Sequence, residues 1–364
     1  MKNKFEHGGN IHHFLRTRET NMPILNFSAN INPLGLSDTV NQSIHNSISN
    51  VVHYPDPDCY QLKQTIANFY QLKVENLIIG NGAVELLYLL CHVIRPRHSL
   101  ILAPSFSEYE RSAKAANSSI HYLFLSEEDD FKINMNQLIK QLVSMEILFI
   151  GNPNNPTGNL LSTSEIRQIL VAAKQQNCYV VVDESFIDFL ERDEQYTSRY
   201  LLNEFDNLIL LQSLTKFYAI PGLRLGFAAM NEKLIQRLYL AKDPWNVNLL
   251  AQSAGVAGLQ DIEYQQKSKR FISDNLLIFY RKLAMIKGLK IYQPTVNFIL
   301  IKLLNSGMNA QALKAILMTE NILIRDCSNY PGLNDSFIRI AVKSCSENNI
   351  LLKNLNAIFG DELG

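Results

Sequence analysis

Tyr179-Val-Val-Val-Asp-Glu-Ser185 and Leu208-Ile-Leu-Leu-Gln-Ser-Leu-Thr-Lys216 decide the fold of this chain. Each is a short unbroken apolar run that ends abruptly in polar residues, the pattern of a strand buried on both faces of a sheet. Working outward, similar runs occur at residues 76–79, 100–103, 121–125, 147–150 and 225–229. Amphipathic stretches at 83–93, 108–117, 162–176 and 232–242 separate them and read as helices, Ser162 followed by Glu165 making a capping-box signature. Strands alternating with helices predict an α/β fold with a mostly parallel sheet. Beyond about residue 246 the pattern changes to long helices through roughly 287, then strands at 298–302, 323–326 and 337–341 with helices at 310–318 and 348–358. The expected division is an N-terminal arm over 1–45 that joins the small domain, a large domain over 46–256 and a smaller α+β domain over 257–364. The 12 prolines and 16 glycines are scattered, so the domains divide by packing and not by a linker.

The 364 residues are 47% hydrophobic and 19% charged, with 34 Lys+Arg balancing 34 Asp+Glu, an ordinary globular composition. No excess of positive charge invites nucleic acid or an anionic membrane. Residues 1–16 lack the apolar stretch of a signal peptide, and no segment reaches transmembrane length. Cys59, Cys91, Cys178, Cys327 and Cys345 form no C-x-x-C pair, which fits reduced thiols in a cytoplasmic protein. His12 and His13 lack the helix-face spacing of metal ligands, so no metal site is expected.

In an open α/β sheet, ligands sit beyond the carboxyl ends of the strands. Asn155, Asp183, Ser213, Lys216 and Arg224 all fall at such positions. A lysine amine can form a Schiff base with an aldehyde cofactor, a serine and an arginine can hold its phosphate, and a buried carboxylate can keep a pyridine nitrogen protonated. Gly80-Asn-Gly82 closes a strand and opens a helix, whose N-terminal N–H groups can receive phosphate. It is not the dinucleotide fingerprint, because Glu85 stands where the third glycine belongs. Ser213-Leu-Thr-Lys216 and Ser273-Asp-Asn275 also match two motifs of serine acyl-enzymes, but no Lys-Thr-Gly occurs and Ser213 ends a strand instead of opening a helix.

Asn152-Pro-Asn-Asn-Pro-Thr-Gly158, Val182-Asp-Glu-Ser185 and Ser213-Leu-Thr-Lys-Phe-Tyr-Ala-Ile-Pro-Gly-Leu-Arg-Leu-Gly226 resemble, in order and spacing, the motifs of fold-type I pyridoxal-phosphate enzymes. The resemblance covers nearly the whole chain and implies a seven-stranded, mostly parallel sheet in a large domain beside a smaller α+β domain, with pyridoxal 5'-phosphate as cofactor. It implies Lys216 as the Schiff-base lysine, Asp183 as partner of the pyridine nitrogen, and Asn155 as donor to the ring oxygen. Ser213, Arg224, Gly82, Ala83 and Val84 would hold the phosphate, although Ala83-Val84 stands where relatives often carry polar side chains. Tyr109 is placed as the ring stacked on the cofactor. Tyr54 would reach the phosphate of a neighbouring subunit, hence a homodimer. Arg339 matches the arginine that receives a substrate anion.

Within that family the chain resembles the histidinol-phosphate aminotransferase branch and, more narrowly, the threonine-phosphate decarboxylases. The segments that favour the latter include His7-Gly-Gly-Asn-Ile11, Asn26-Phe-Ser-Ala-Asn-Ile-Asn-Pro-Leu-Gly35, Pro244-Trp-Asn-Val-Asn248 and Ile322-Leu-Ile-Arg-Asp-Cys-Ser-Asn-Tyr-Pro-Gly-Leu333. Phe186 replaces a tyrosine common in the aminotransferases. The resemblance implies decarboxylation of L-threonine O-3-phosphate in cobalamin synthesis, with L-serine O-phosphate as an alternative substrate and a histidinol-phosphate-type aminotransferase as an alternative reaction. Arg325 or Arg339 would anchor the small phosphorylated substrate, with His7 and Asn32 closing over it.

Overall fold

The computed structural model describes residues 7–17, 23–304 and 307–360, so the outer limits of the expected arm and of the C-terminal region lie outside the described residues. The N-terminal part runs α1 (Ile11–Thr17), β1 (Leu25–Asn26), α2 (Asp38–Ser47) and α3 (Tyr60–Tyr70). Then follow β2 (Leu77–Gly80), α4 (Ala83–Ile94), β3 (His98–Ala103), α5 (Ser107–Ala115), β4 (Ser119–Phe124), α6 (Met135–Gln141) and β5 (Ile147–Gly151). Next come α7 (Thr163–Gln175), β6 (Tyr179–Asp183), β7 (Leu208–Ser213), β8 (Gly226–Ala229), α8 (Glu232–Ala241), α9 (Leu249–Gln260) and α10 (Ile262–Leu283). The chain closes with β9 (Leu289–Ile291), β10 (Phe298–Leu303), α11 (Ala310–Thr319), β11 (Ile322–Leu323), β12 (Arg325–Asp326), β13 (Phe337–Ala341) and α12 (Cys345–Phe359).

Strands β2 to β8 form one seven-stranded sheet in the order β2-β8-β7-β6-β5-β3-β4. Only β8 is antiparallel, pairing Gly226 with both Ser213 of β7 and Gly80 of β2. The all-apolar strands are explained by layers on both faces. Val180 and Val182 of β6 pack with α6 and α7, while Val181 packs with α4, α5 and α8, as the two-residue period of a strand requires. The capping box read at Ser162 and Glu165 forms as expected at the start of α7.

The smaller sheet has the order β12-β13-β10-β9 and is antiparallel. Ile299, Ile301, Ile338 and Ile340 face a separate core with α10, α11 and α12. Helix α10 bridges the two bodies, with Ile272 in the main core and Phe279 and Leu283 in the small one. Residues 25–26 pair in parallel with 322–323, and Phe27 enters the small core. No helix among the described residues is long and apolar enough to cross a membrane.

Candidate active site

Because β8 runs against both its neighbours, its first residue lies at the same edge as the carboxyl ends of β2, β3, β5, β6 and β7. The topology therefore gathers residues far apart in sequence: Ala83 and Val84 after β2, Phe106 after β3, Asn155 after β5, Asp183 at the end of β6, Ser213 and Lys216 at and after β7, and Arg224 before β8. All of them line one cavity of about 450 Å³, which the small domain closes with Tyr330 and Arg339. That is the size of a pocket for a small ligand.

Lys216 sits in the turn after β7 with its Nζ 5.2 Å from the centroid of the Phe186 ring. Burial pulls its amine from the ordinary 10.5 down to about 8; Asp183 opposes the shift, while Arg224 and Arg339 add to it. Asp183 is buried, its Oδ2 accepting from the Tyr109 hydroxyl at 2.9 Å and its Oδ1 from Ser185 N–H at 3.0 Å. Asn155 is presented by a turn that spends its other asparagines internally. Asn152 Nδ2 donates to the carbonyls of Leu161 and Tyr196, and Asn154 Nδ2 to Pro104 O and Thr157 Oγ1. Asn155 Oδ1 instead accepts from Arg339 Nη1 and the Tyr330 hydroxyl.

The opposite end of the cavity suits a phosphate. Gly82, at φ +81°, caps α4 without a side chain, so the first-turn N–H groups open toward the cavity. A Cβ on Gly82 would lie 2.5 Å from Arg224 Nη2, so the guanidinium rests directly on the helix N-terminus. A Cβ on Gly226 would lie 2.6 Å from Ala83 N, so the bare strand lets α4 approach the sheet. The hydroxyls of Ser213 and Thr215, 2.8 Å apart, complete a donor set for a dianion. These residues fit pyridoxal 5'-phosphate: an anion cradle at one end, a carboxylate at the other and a depressed lysine amine between.

On the small-domain side, Arg325 and Arg339 are direct cross-strand partners on β12 and β13, each about 5% exposed. Arg339 points away from the core that its neighbours Ile338 and Ile340 fill, and donates to neutral acceptors, Asn155 Oδ1 and Ser28 O. Its buried Nε has no partner. Arg325 donates to Asn329 Oδ1 and stacks over Tyr330, with 5.2 Å from Cζ to the ring centroid. Two like charges opposed on neighbouring strands destabilise each other unless an anion comes between them. Arg325 borders a smaller pocket of about 50 Å³ that shares His7, Gly8 and Ser28 with the main cavity.

One expectation is corrected by placement. Asn32 does not line the cavity: its amide donates to Phe217 O and Ser268 Oγ, and its backbone N–H to Lys216 O, so it braces the lysine turn from behind. Tyr109 lines a small pocket adjoining the main cavity together with Phe106, Asn155, Asp183 and Lys216, with its ring against Phe149 and its hydroxyl on Asp183, while Phe106 faces the main cavity. Tyr54, expected to act on a neighbouring subunit, does not line the cavity of its own chain and is 79% exposed, stacked on Trp245 at 4.6 Å. Phe106, Glu108, Arg111, Thr215 and Tyr330 line the cavity without having been singled out; Phe106 and Thr215 carried a signal, by following strands. Ser273 and Asn275 lie within α10 and neither reaches the cavity around Ser213, so the acyl-enzyme pattern is a coincidence of sequence. No metal-binding cluster occurs among the described residues.

Comparison with known proteins agrees with this geometry. The chain is 33% identical to the threonine-phosphate decarboxylase of Salmonella typhimurium over 97% of its own length and 96% of that protein. The crystal structure of the histidinol-phosphate aminotransferase from Clostridium acetobutylicum superposes with a TM-score of 0.87 at 30% identity, over 93% of this chain and 100% of that one. That of L-threonine-O-3-phosphate decarboxylase from Porphyromonas gingivalis superposes with a TM-score of 0.83 at 27% identity, over the same shares. Both activities therefore occur on this backbone, and similarity of fold does not separate them. The model of aminotransferase class I and II matches residues 22–355, and the chain belongs to that family.

Proposed function

We propose that this chain is a pyridoxal-phosphate-dependent decarboxylase that converts L-threonine O-3-phosphate to (R)-1-aminopropan-2-ol O-2-phosphate and CO2, a step of cobalamin biosynthesis. The observation that carries the reading is the opposed pair Arg325 and Arg339, two buried guanidinium groups, Arg339 lining the main cavity and Arg325 the smaller pocket that adjoins it. A small substrate with two anionic groups meets that demand, and relatives that share the chain's length include a threonine-phosphate decarboxylase.

When bound, pyridoxal 5'-phosphate supplies an electron sink for the bond broken at the substrate's α-carbon. Asp183, held by Tyr109 and Ser185, would offer its carboxylate to the ring nitrogen, and Asn155 would donate to the ring oxygen. With its amine near 8, Lys216 is about one-tenth neutral at pH 7, so part of the population has a free nucleophilic lone pair while the rest holds a proton at Nζ. Anchoring the distant phosphate on the arginines would orient the substrate so that its carboxylate, and not its α-hydrogen, is the group lost, remote binding energy being used for orientation. Phe186 beneath Lys216 Nζ keeps that side of the site apolar.

The same reading takes the chain as a cytoplasmic homodimer, with arm 1–45, cofactor domain 46–256 and small domain 257–364. Tyr54 would cross to the partner's phosphate cradle. Exposed Ile48, Val51 and Val52 stand beside it in sequence and supply apolar surface for such an interface. The test is to give the cofactor-loaded protein L-threonine O-3-phosphate without any keto acid and follow CO2 and the amine. Sustained release of both over many turnovers is expected. Turnover only with 2-oxoglutarate and an amino donor would make the protein an aminotransferase.

A further inference from the structure

Glu108, in the first turn of α5, is 3% exposed yet borders the cavity. Its Oε1 receives His7 Nε2 at 2.6 Å and Arg111 Nη1 at 2.9 Å, and its Oε2 the Tyr88 hydroxyl at 3.3 Å. An ionised carboxylate only accepts, so the His7 ring presents Nε2–H to it. Next to His7 the arm lies flush on the small-domain side: a Cβ on Gly8 would be 2.0 Å from Ser28 O and 3.4 Å from Arg339 Nη2. Gly9 N–H donates to Ser28 Oγ at 2.8 Å, and Arg339 Nη2 to Ser28 O at 2.9 Å. Residues 7–9 thus run from the arginine side of the site to α5 of the large domain, and they wall both pockets that the two arginines border.

We infer that Glu108 is a positioning residue that fastens the N-terminal arm, through His7, over the Arg325–Arg339 anion subsite, and so sets the affinity for a phosphorylated amino acid. Glu108 does not touch the reacting atoms. A bare carboxylate here would repel an incoming phosphate, and while the arm is down the Arg111 guanidinium and the His7 Nε2–H both donate to it. The inference deepens the proposed function and rests on it for the substrate class. It carries a consequence of definite sign. Removing Glu108 frees the arm alone, whereas removing His7 frees the arm and also leaves Glu108 short of one hydrogen-bond donor beside the anion.

The test uses cofactor-loaded Glu108→Gln, His7→Ala and the double variant. Equilibrium binding of L-threonine O-3-phosphate and of inorganic phosphate is measured by calorimetry, and KM and kcat by CO2 release. Glu108→Gln should raise Kd and KM about tenfold with kcat within about threefold, as expected when binding is lost and chemistry kept. His7→Ala should raise them further, on the order of thirtyfold, and adding Glu108→Gln to it should bring them back toward tenfold, a coupling only interacting residues show. A fold-dependent defect is separated by His7→Ala, which substitutes a half-exposed residue of the arm and leaves α5 unsubstituted. Single effects that multiply in the double variant, or binding unchanged in Glu108→Gln, overturn the inference. CO2 release with no change in Glu108→Gln sinks the inference and leaves the decarboxylase standing. Phosphate binding with the expected coupling but no CO2 sinks the decarboxylase and leaves the arm fastening in place. If wild type binds neither ligand, both are overturned.

Discussion

The depressed amine of Lys216 makes the sharpest quantitative prediction. At pH 7.5 an amine near 8 is about one-quarter neutral, whereas an ordinary lysine near 10.5 is about 0.1% neutral, so Lys216 should react with a small aldehyde on the order of 200-fold faster than surface lysines at equal access. Burial is the largest cause and the Arg339 charge a minor one, so Arg339→Gln should move the midpoint up only slightly. The assay is reductive methylation of cofactor-free protein with formaldehyde and cyanoborohydride across pH 6.5 to 10.5, quantified peptide by peptide by mass spectrometry. Lys63, also partly buried and likewise lowered, serves as an internal comparison away from the site. If the Lys216 profile rises with the surface lysines near pH 10, or if Arg339→Gln alone restores an ordinary profile, the argument that burial tunes this amine is wrong.

Other perturbations test other links. Glu184 is buried behind Asp183 and accepts from Ser198 N–H, Ser198 Oγ and Thr197 Oγ1, and burial pushes its carboxyl from 4.5 up to about 7. The folded chain therefore holds a proton that the unfolded chain has lost, and this contribution to stability, about 3 kcal/mol, is present below about pH 4.5 and lost as the pH rises to about 7. Glu184→Gln should flatten that slope in urea titrations at pH 5 and 8; parallel slopes would contradict it. Gly226→Ala places a Cβ 2.6 Å from Ala83 N and 2.8 Å from Gln212 O, both backbone, so it should cost about 1–3 kcal/mol and weaken cofactor retention on dialysis. Arg339→Lys keeps the charge but loses the fork that spans Asn155 and Ser28, so kcat/KM should fall by about tenfold or more. Trp245 is the single tryptophan and is stacked on Tyr54, so if the proposed homodimer forms through this face, dilution should shift its emission, and Tyr54→Ala should alter that signal; emission independent of concentration would count against the dimer.

What the sequence by itself determined was the chemistry along one edge of a sheet. Strands buried on both faces must be short apolar runs, so their ends are visible, and polar residues stranded there, such as Asp183 after Tyr179-Val-Val-Val182, stand out by contrast. The missed short strand at 289–291 and helices at 38–47 and 60–70 lack that contrast. Only tertiary structure decided what depends on direction and on distant partners. Phe106 and Tyr109 differ by one helical turn, and which ring meets the cavity is set by how α5 enters from β3. Asn32 reads as a polar residue free for a ligand until the fold brings Phe217 and Ser268 to it. The opposition of Arg325 and Arg339 follows from a strand register that no local pattern encodes, and Glu108 acquires its meaning only when the arm carrying His7 folds back across the site. The reason in each case is physical: periodicity reports which face of an element is buried, whereas hydrogen bonds and charge pairs between elements depend on how those faces are brought together.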